Sequence, residues 1–350
     1  MKTGILTFHE ADSYGAVLQA YALQQTLQNL GSDSEFVQIQ MPRSSSAQEA
    51  VTGAAAVFAR RIQAEGEKRR LLFQQFRREH LKISRPYRPE ENIDGDFDRF
   101  VAGSDQIWNF RIPDADSRYF LPFAVPQKRY SYAASFGADA LPEKAKEWVA
   151  RQLSQFRSIS VREESGCQIV KELTGKEAQV CLDPTLLLSR EEWEQLLPPQ
   201  KPAEPYLLLF LLKYDENLVR KAREAAQQQG LPLRTVTAAF MPQLGIPAWN
   251  GTGVADWLAA IANAEAVFTN SFHGIVFSLI FGRSFHAQLL TGELSSRNGR
   301  ILELLSSLQL SEAASGTVTP DYQKVWELLR SKRDASVAYL RSILDDDTAV

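Results

Sequence analysis

The sequence predicts an α/β fold in two units. Short apolar runs alternate with longer amphipathic stretches along all 350 residues, the pattern of parallel sheets with crossover helices. Four prolines crowd the eight residues PPQKPAEP after Leu197, and the same alternation begins again beyond them. A chain of this length also exceeds one comfortable core. Together these features predict two Rossmann-like domains facing across a cleft.

In the first unit GILTF (4–8) reads as a strand, and AVLQAYALQQTLQNLG as a helix that stops at Gly31. FDRFVAG (97–103), RYSYAAS (129–135), SISVR (158–162) and AQVCLDP (178–184) read as further strands, with a helical pattern in PEKAKEWVARQLSQF (142–156). The second unit runs YLLLFLL (206–212), the helix ENLVRKAREAAQQQG, a strand near PLRTVT, the helix GVADWLAAIANA and the strand AVFTN. The boundaries are an N-terminal domain over 1–197 with a basic helical insertion at about 44–82, a linker over 198–205, a C-terminal domain over 206–319 and a C-terminal helix over 320–350.

Composition narrows the partners. Hydrophobic content of 44% and charged content of 23% are ordinary for a soluble globular protein. A net charge of −3 gives no electrostatic case for nucleic acid. The opening MKTG runs straight into ILTF, so no signal peptide is expected. The run YLLLFLL falls far short of the ~20 residues of a membrane span. Cys167 and Cys181, with no CxxC spacing, suggest neither a disulfide framework nor a zinc site, and the expected compartment is the cytoplasm. From Arg60 to Lys82 eight Lys or Arg stand against three Glu, interleaved with Leu71, Leu72, Phe73 and Phe76. That segment reads either as a solvated helix with one buried face, or as a basic surface peripheral to the inner face of the membrane that meets anionic lipid or a lipid-linked substrate.

Ligands of α/β domains sit at the carboxyl ends of strands. Four such corners carry polar residues: TFHEADSYGAVLQ (7–19), VAGSDQIWN (101–109), SVREESG (160–166) and TNSFHG (269–274). None contains GxGxxG or GxxxxGK[ST], so the standard dinucleotide and P-loop grips are missing. Helix N-termini still offer N–H groups to an anion, and Gly15 and Gly274 allow close approach. DGDFDRF (94–100) resembles the start of a calcium loop, but Arg99 and Asp105 occupy the places of its Gly and Glu, and the calcium reading fails. His273, one of four histidines, is either a buried or capping residue or a proton donor or acceptor beside Asn270 and Ser271. Arg162 either pairs with a neighbouring carboxylate or holds a phosphate or carboxylate ligand. Arg297 and Arg300, three apart, are either solvated or anion ligands.

Taken in order, YGAVLQAYAL, FVAGSDQIWN, SVREESG, LDPTLLL, NAEAVFTNSFHGIVFSLIFGRSF and SSRNGRILELL resemble the polysaccharide pyruvyl transferase family over roughly residues 4–308. The resemblance implies a glycosyltransferase-B-like arrangement of the two domains. It also implies transfer of pyruvate from phosphoenolpyruvate onto two sugar hydroxyls as a cyclic ketal, with no cofactor and no metal. The acceptor it implies is a surface polysaccharide or its lipid-linked precursor. Position by position it makes His273 a general acid or base and Asp105 a base or sugar ligand. Arg162, Asn270, Ser271, Gly274, Arg297 and Arg300 fall to the donor, and Tyr14, Gly15, Ser104 and Trp108 to the acceptor. Some characterised members have arginine where this chain has Ser271, so that anion contact is either missing or supplied by Arg297 or Arg300. Many relatives have asparagine where this chain has Ser13. Two other readings stay open, a glycosyltransferase using a nucleotide sugar and a catalytically inactive glycan- or anion-binding relative. The stretch 321–344 reads as an amphipathic helix that either braces the N-terminal domain or mediates an oligomer.

Overall fold

The computed structural model describes residues 1–40, 54–112, 115–200, 204–237, 244–246, 253–292, 295, 298–314 and 316–346, with side chains omitted over 54–62. Arg297 and the 44–53 part of the expected basic insertion lie outside the described residues.

The first domain is a parallel sheet of β1 (Lys2–Leu6), β2 (Asp33–Ile39), β3 (Ile83–Tyr87), β4 (Arg99–Ala102) and β5 (Arg129–Ser131), in the order β3-β2-β1-β4-β5. The short pair β6 (Ser160–Val161) and β7 (Gln179–Val180) extends it through bridges from Tyr130 to Ser158 and from Ala134 to Val161. The second domain is a sheet of β8 (Leu207–Leu211), β9 (Leu233–Thr237), β10 (Ala266–Thr269), β11 (Ser284–Ala287) and β12 (Thr317–Val318), in the order β12-β11-β10-β8-β9. Among its described strands only the edge strand β12 runs antiparallel. Strand order reverses between β1 and β4 in one sheet and between β8 and β10 in the other, and such switch points leave a crevice at the strands' carboxyl ends.

The helices are α1 (Tyr14–Asn29), α2 (Ala54–His80), α3 (Glu143–Ser154), α4 (Glu164–Thr174), α5 (Arg190–Glu194), α6 (Glu216–Gln229), α7 (Val254–Ala262), α8 (Phe272–Ile280), α9 (Gly299–Ser307) and α10 (Tyr322–Leu344). β8 is buried along its whole length because it is covered on both faces, hence its unbroken LLLFL run. Pro86 is tolerated in β3 because that strand lies at the sheet edge.

One apolar core crosses the domain boundary, joining Val17 and Leu18 of α1 to Leu258 of α7, Phe277 of α8 and Leu340 of α10. At its centre Tyr14 stacks on Trp257, ring centres 5.1 Å apart and planes 9° from parallel, and Trp257 meets Phe277 edge-on at 5.2 Å. α2 turns Phe73 and Phe76 into this core and leaves Leu71 exposed, so the described part of the basic segment has a buried apolar face. No described helix is long and apolar enough to cross a membrane.

α10 returns from the second domain onto the first. Tyr339 donates to the Ser131 carbonyl at 2.9 Å and accepts from the Ser158 hydroxyl at 2.9 Å, while Ser336 accepts from the Leu182 amide at 3.0 Å. Just beyond it, Asp346 accepts from Tyr130 at 2.9 Å and from Nε of Arg157 at 2.7 Å. Replacing Tyr339 by Phe should lower the unfolding free energy by about 1–3 kcal/mol, the cost of stranding buried polar partners. Urea denaturation measures this, and an unchanged midpoint would mean that the Tyr339 hydroxyl does not hold α10 in place.

Candidate active site

The two switch points face each other, and a cavity of about 320 Å³ lies between them. Asp12 to Ala16 after β1 and Asp105 and Gln106 after β4 form one wall. Leu212 after β8 and Ser271 to His273 after β10 form the other, with Trp257 from α7, Arg69 from α2 and Arg300 from α9 closing the sides. The size suits a small substrate plus part of a larger one.

His273 stands in the first turn of α8, whose N-cap is Ser271. Its position depends on Gly15 in the opposite domain: a β-carbon at residue 15 would fall 2.0 Å from Nδ1 of His273. The other ring nitrogen, Nε2, sits 3.4 Å from Oδ2 of Asp183, beyond good hydrogen-bond geometry but within ion-pair range. Asp183 lies immediately before Pro184 in LDPT, wholly buried, and caps its own turn by accepting from the Thr185 amide at 3.0 Å and hydroxyl at 2.6 Å. Nη2 of Arg162 is 3.0 Å from the same Oδ2 and donates to the Ser104 hydroxyl at 2.6 Å. Burial alone would push the Asp183 carboxyl up, but Arg162 and His273 overcome it and hold it well below the usual carboxylate range.

Asp105 adopts φ of 75°, a left-handed conformation that Asp tolerates better than most residues but at a cost of order 1–3 kcal/mol. It is held there by the Ser135 amide, which donates to its carbonyl at 3.0 Å, while Oδ1 accepts from the Gln106 amide at 2.8 Å. Its carboxylate lines the cavity, 3.8 Å from Nη1 of Arg162. Arg300 faces the cavity with its Nε buried and unpartnered among the described residues. Burial first, then the nearby Arg162, pushes it down to about 10, so it remains a cation at neutral pH. The indole N–H of Trp257, another lining residue, is also buried without a partner among the described residues. Over the cavity, the Arg69 guanidinium lies 4.8 Å from the centre of the Tyr14 ring. α1 starts at the cavity, and its N-cap Ser13 makes no side-chain cap hydrogen bond.

The structure therefore brings His273, Asp105, Arg300, Ser271, Tyr14 and Gly15 to one cavity and keeps other expected residues out of it. Trp108 is core: its ring stacks on Phe120 and its N–H is taken by the Tyr119 carbonyl at 3.0 Å, so it does not reach the acceptor side. Asn270 has both ends of its amide engaged, with the Leu212 amide at 2.8 Å and the Lys213 carbonyl at 2.7 Å, and it clamps the β8 corner instead of facing a donor. Ser104 is fully buried beneath Arg162. Gly274 is needed for packing, because a β-carbon there would lie 2.4 Å from the Thr269 hydroxyl. Arg162 does not line this cavity; it acts through Asp183 as a positioning residue. Asp183, Trp257 and Arg69 had no role in the sequence reading, although LDPTLLL carried the signal for Asp183, a carboxylate at a strand-end corner.

Two doubly wound domains with a site between their switch points define a glycosyltransferase-B-like architecture. Among solved structures, the UDP-GlcNAc 2-epimerase of Neisseria meningitidis, bound to UDP-GlcNAc, superposes with a TM-score of 0.50 at 11% identity over 100% of this chain and 95% of that one, a likeness of fold alone. Arabidopsis thaliana UGT89C1 gives 0.49 at 9% identity over 100% and 99% of the two chains. No curated protein matches. The family described as Polysaccharide pyruvyl transferase matches residues 14–287, and the chain belongs to that family.

Two substitutions test this geometry. Gly15→Ala should leave the fold intact by circular dichroism yet reduce turnover at least about 10²-fold, because the new methyl displaces His273. A wild-type rate would mean that the position of His273 is immaterial. Asp183→Asn leaves the buried Arg162 guanidinium without its carboxylate and should cost about 3–5 kcal/mol of stability. The folded-state carboxyl is depressed, so its contribution is present above the ordinary value of 3.8 and is lost as pH falls through the folded one. The gap between wild type and variant in urea melts should therefore shrink below about pH 4; a gap independent of pH would show that Asp183 is not the ionised partner.

Proposed function

We propose that the chain moves a pyruvyl group from phosphoenolpyruvate onto two hydroxyls of a glycan or its lipid-linked precursor, forming a cyclic ketal. One observation carries this reading: a histidine, two arginines and an uncapped helix N-terminus converge on one cavity between the domains. Phosphoenolpyruvate presents a phosphate and a carboxylate, and Arg300, Arg69 and the first amides of α1 supply cationic and N–H contacts for both.

His273 delivers a proton to the methylene carbon, with Asp183 behind Nε2 fixing the ring so that Nδ1 faces Gly15 and the cavity edge. The resulting oxocarbenium-like carbon is attacked by one acceptor hydroxyl, for which Asp105 is the base. The carbon–oxygen bond to phosphate then breaks, and the second hydroxyl closes the ketal. One acceptor proton restores the proton given to the new methyl group, and the other leaves on the phosphate. The cavity between the domains holds donor and acceptor in reach of each other. The exposed Lys68 and Arg78 of α2 provide the contact if the acceptor is carried on an anionic membrane surface at the cytoplasmic face.

Thermal unfolding with phosphoenolpyruvate, and in parallel with uridine and guanosine diphosphate sugars, tests the donor. At ~100 times its dissociation constant a ligand adds roughly 2.7 kcal/mol to stability, which should raise the midpoint by several degrees. The expected result is a shift with phosphoenolpyruvate alone, lost in Arg300→Ala and kept in His273→Ala, which instead abolishes phosphate release in the presence of acceptor. A shift with only a nucleotide sugar would replace this reading with glycosyl transfer.

A further inference from the structure

The first-domain wall of the cavity carries one polar side chain that takes no part in the chemistry set out above. Gln106 lines the cavity next to Asp105 and is only 3% exposed. Its backbone amide holds Oδ1 of Asp105 at 2.8 Å, while Oδ2 of that carboxylate has no hydrogen-bond partner among the described residues.

The direction of the Gln106 amide follows from a chain of hydrogen bonds that begins at an unambiguous donor. The backbone N–H of Arg111 can only donate, and it donates to Oδ1 of Asn109 at 2.9 Å. The other end of the Asn109 amide is therefore Nδ2, which donates to Oε1 of Gln106 at 2.8 Å. With Oε1 turned to Asn109, Nε2 is the free end of Gln106, and it has no hydrogen-bond partner among the described residues. Unlike the Nε of Arg300, it is not sealed from solvent. The two amides pack on the bare α-carbon of Gly137. A β-carbon there would fall 2.4 Å from Nδ2 of Asn109 and 2.9 Å from Oε1 of Gln106. Gly137 also has φ of 60°, so both space and backbone call for glycine at this place. Asn109 is itself 1% exposed, so the pair is locked from behind while Nε2 stands at the cavity.

We propose that Gln106 selects the acceptor: its Nε2 donates to the oxygen of one sugar hydroxyl while Oδ2 of Asp105 accepts from the neighbouring hydroxyl. This role rests on the pyruvyl-transfer reading for its ligand class, a diol on a pyranose ring. A hydroxyl both donates and accepts, so a carboxylate alone engages half of what a diol offers. The amide engages the other half and adds no charge. Arg300 and Arg69 favour the anionic groups of the donor, which leaves the neutral hydroxyls to the first-domain wall. Because the amide is oriented before the sugar arrives, little freedom is lost on binding. An analogue lacking the hydroxyl would leave Nε2 unpaired, which is how such a site discriminates.

Nuclear magnetic resonance of the ¹⁵N-labelled full chain tests this without turnover. The probes are the methyl glycosides of glucose, galactose, mannose and N-acetylmannosamine, and the Gln106 side-chain amide is identified by its loss in Gln106→Met. At least one glycoside should move that amide resonance. Gln106→Met removes the donor without changing charge, and Gln106→Glu removes it but keeps an acceptor for Asn109. Both should weaken binding of that glycoside about tenfold, so the loss traces to the missing N–H and not to a disturbed Asn109. The thermal shift with phosphoenolpyruvate should persist in Gln106→Met. Unaltered glycoside affinity in both variants would overturn the proposal, as would a Gln106 amide that none of the four glycosides moves. The two readings fail separately. Glycoside binding that needs Gln106, in a chain that phosphoenolpyruvate does not stabilise, would sink pyruvyl transfer and leave the role of Gln106 standing. A phosphoenolpyruvate shift beside glycoside binding indifferent to Gln106 would do the reverse.

Discussion

The structure depends on a single buried carboxylate. Asp183 belongs to the first domain, and it meets Arg162 from its own side and His273 from the other. A carboxylate with no exposed side-chain area would neutralise itself if left alone; the Arg162 guanidinium first, with His273 beside it, keeps it ionised. The same contact lies behind the histidine ring, and the bare α-carbon of Gly15 leaves the room that the ring occupies. Domain closure and the placement of His273 are thus one constraint.

Around this contact the halves are joined by apolar packing instead of a hinge of open solvent. Tyr14, Trp257 and Phe277 form a continuous aromatic seam, and α2 lays Phe73 and Phe76 against it. α10 ties the end of the chain back to the first sheet through buried hydroxyls. Such packing has discrete arrangements and not a continuum. The cavity's shape is therefore set by the same side chains that hold the domains together, and charged groups such as Arg69 and Arg300 are carried to it on rigid helices.

The positive electrostatics of the site come from arginines on different elements. Arg69 stands on α2, Arg162 at the end of β6 and Arg300 in α9, and a single aromatic ring, Phe272, lies near the last two. Mutually repelling cations in a desolvated place are the kind of arrangement that functional sites hold. The strained backbone of Asp105 at the same place is of a piece with this, since such conformations persist where the surroundings enforce them.

Much of this was legible in the chain. Alternating apolar runs and amphipathic stretches determined the α/β class, the restart of the pattern near residue 206 and the corners where ligands bind, because those signals are local. β2, β3, β11 and β12 escaped notice: short, mixed or Pro-containing segments become strands only when neighbouring strands pair with them. The residue types at the corners pointed to His273, Asp105 and Arg300. They misjudged Trp108 and Asn270, whose polar groups are consumed by backbone partners that no spacing reveals. Sequence by itself thus determined the fold class, most of the elements and the corners at which His273, Asp105 and Arg300 stand. Only the tertiary structure decided that Asp183 is the keystone, that Gly15 exists for His273 and that Arg162 stands behind the cavity and not in it. Those facts arise from contacts between residues 21 to 258 positions apart in the chain, made within the first domain by Arg162 and across the domain boundary by His273.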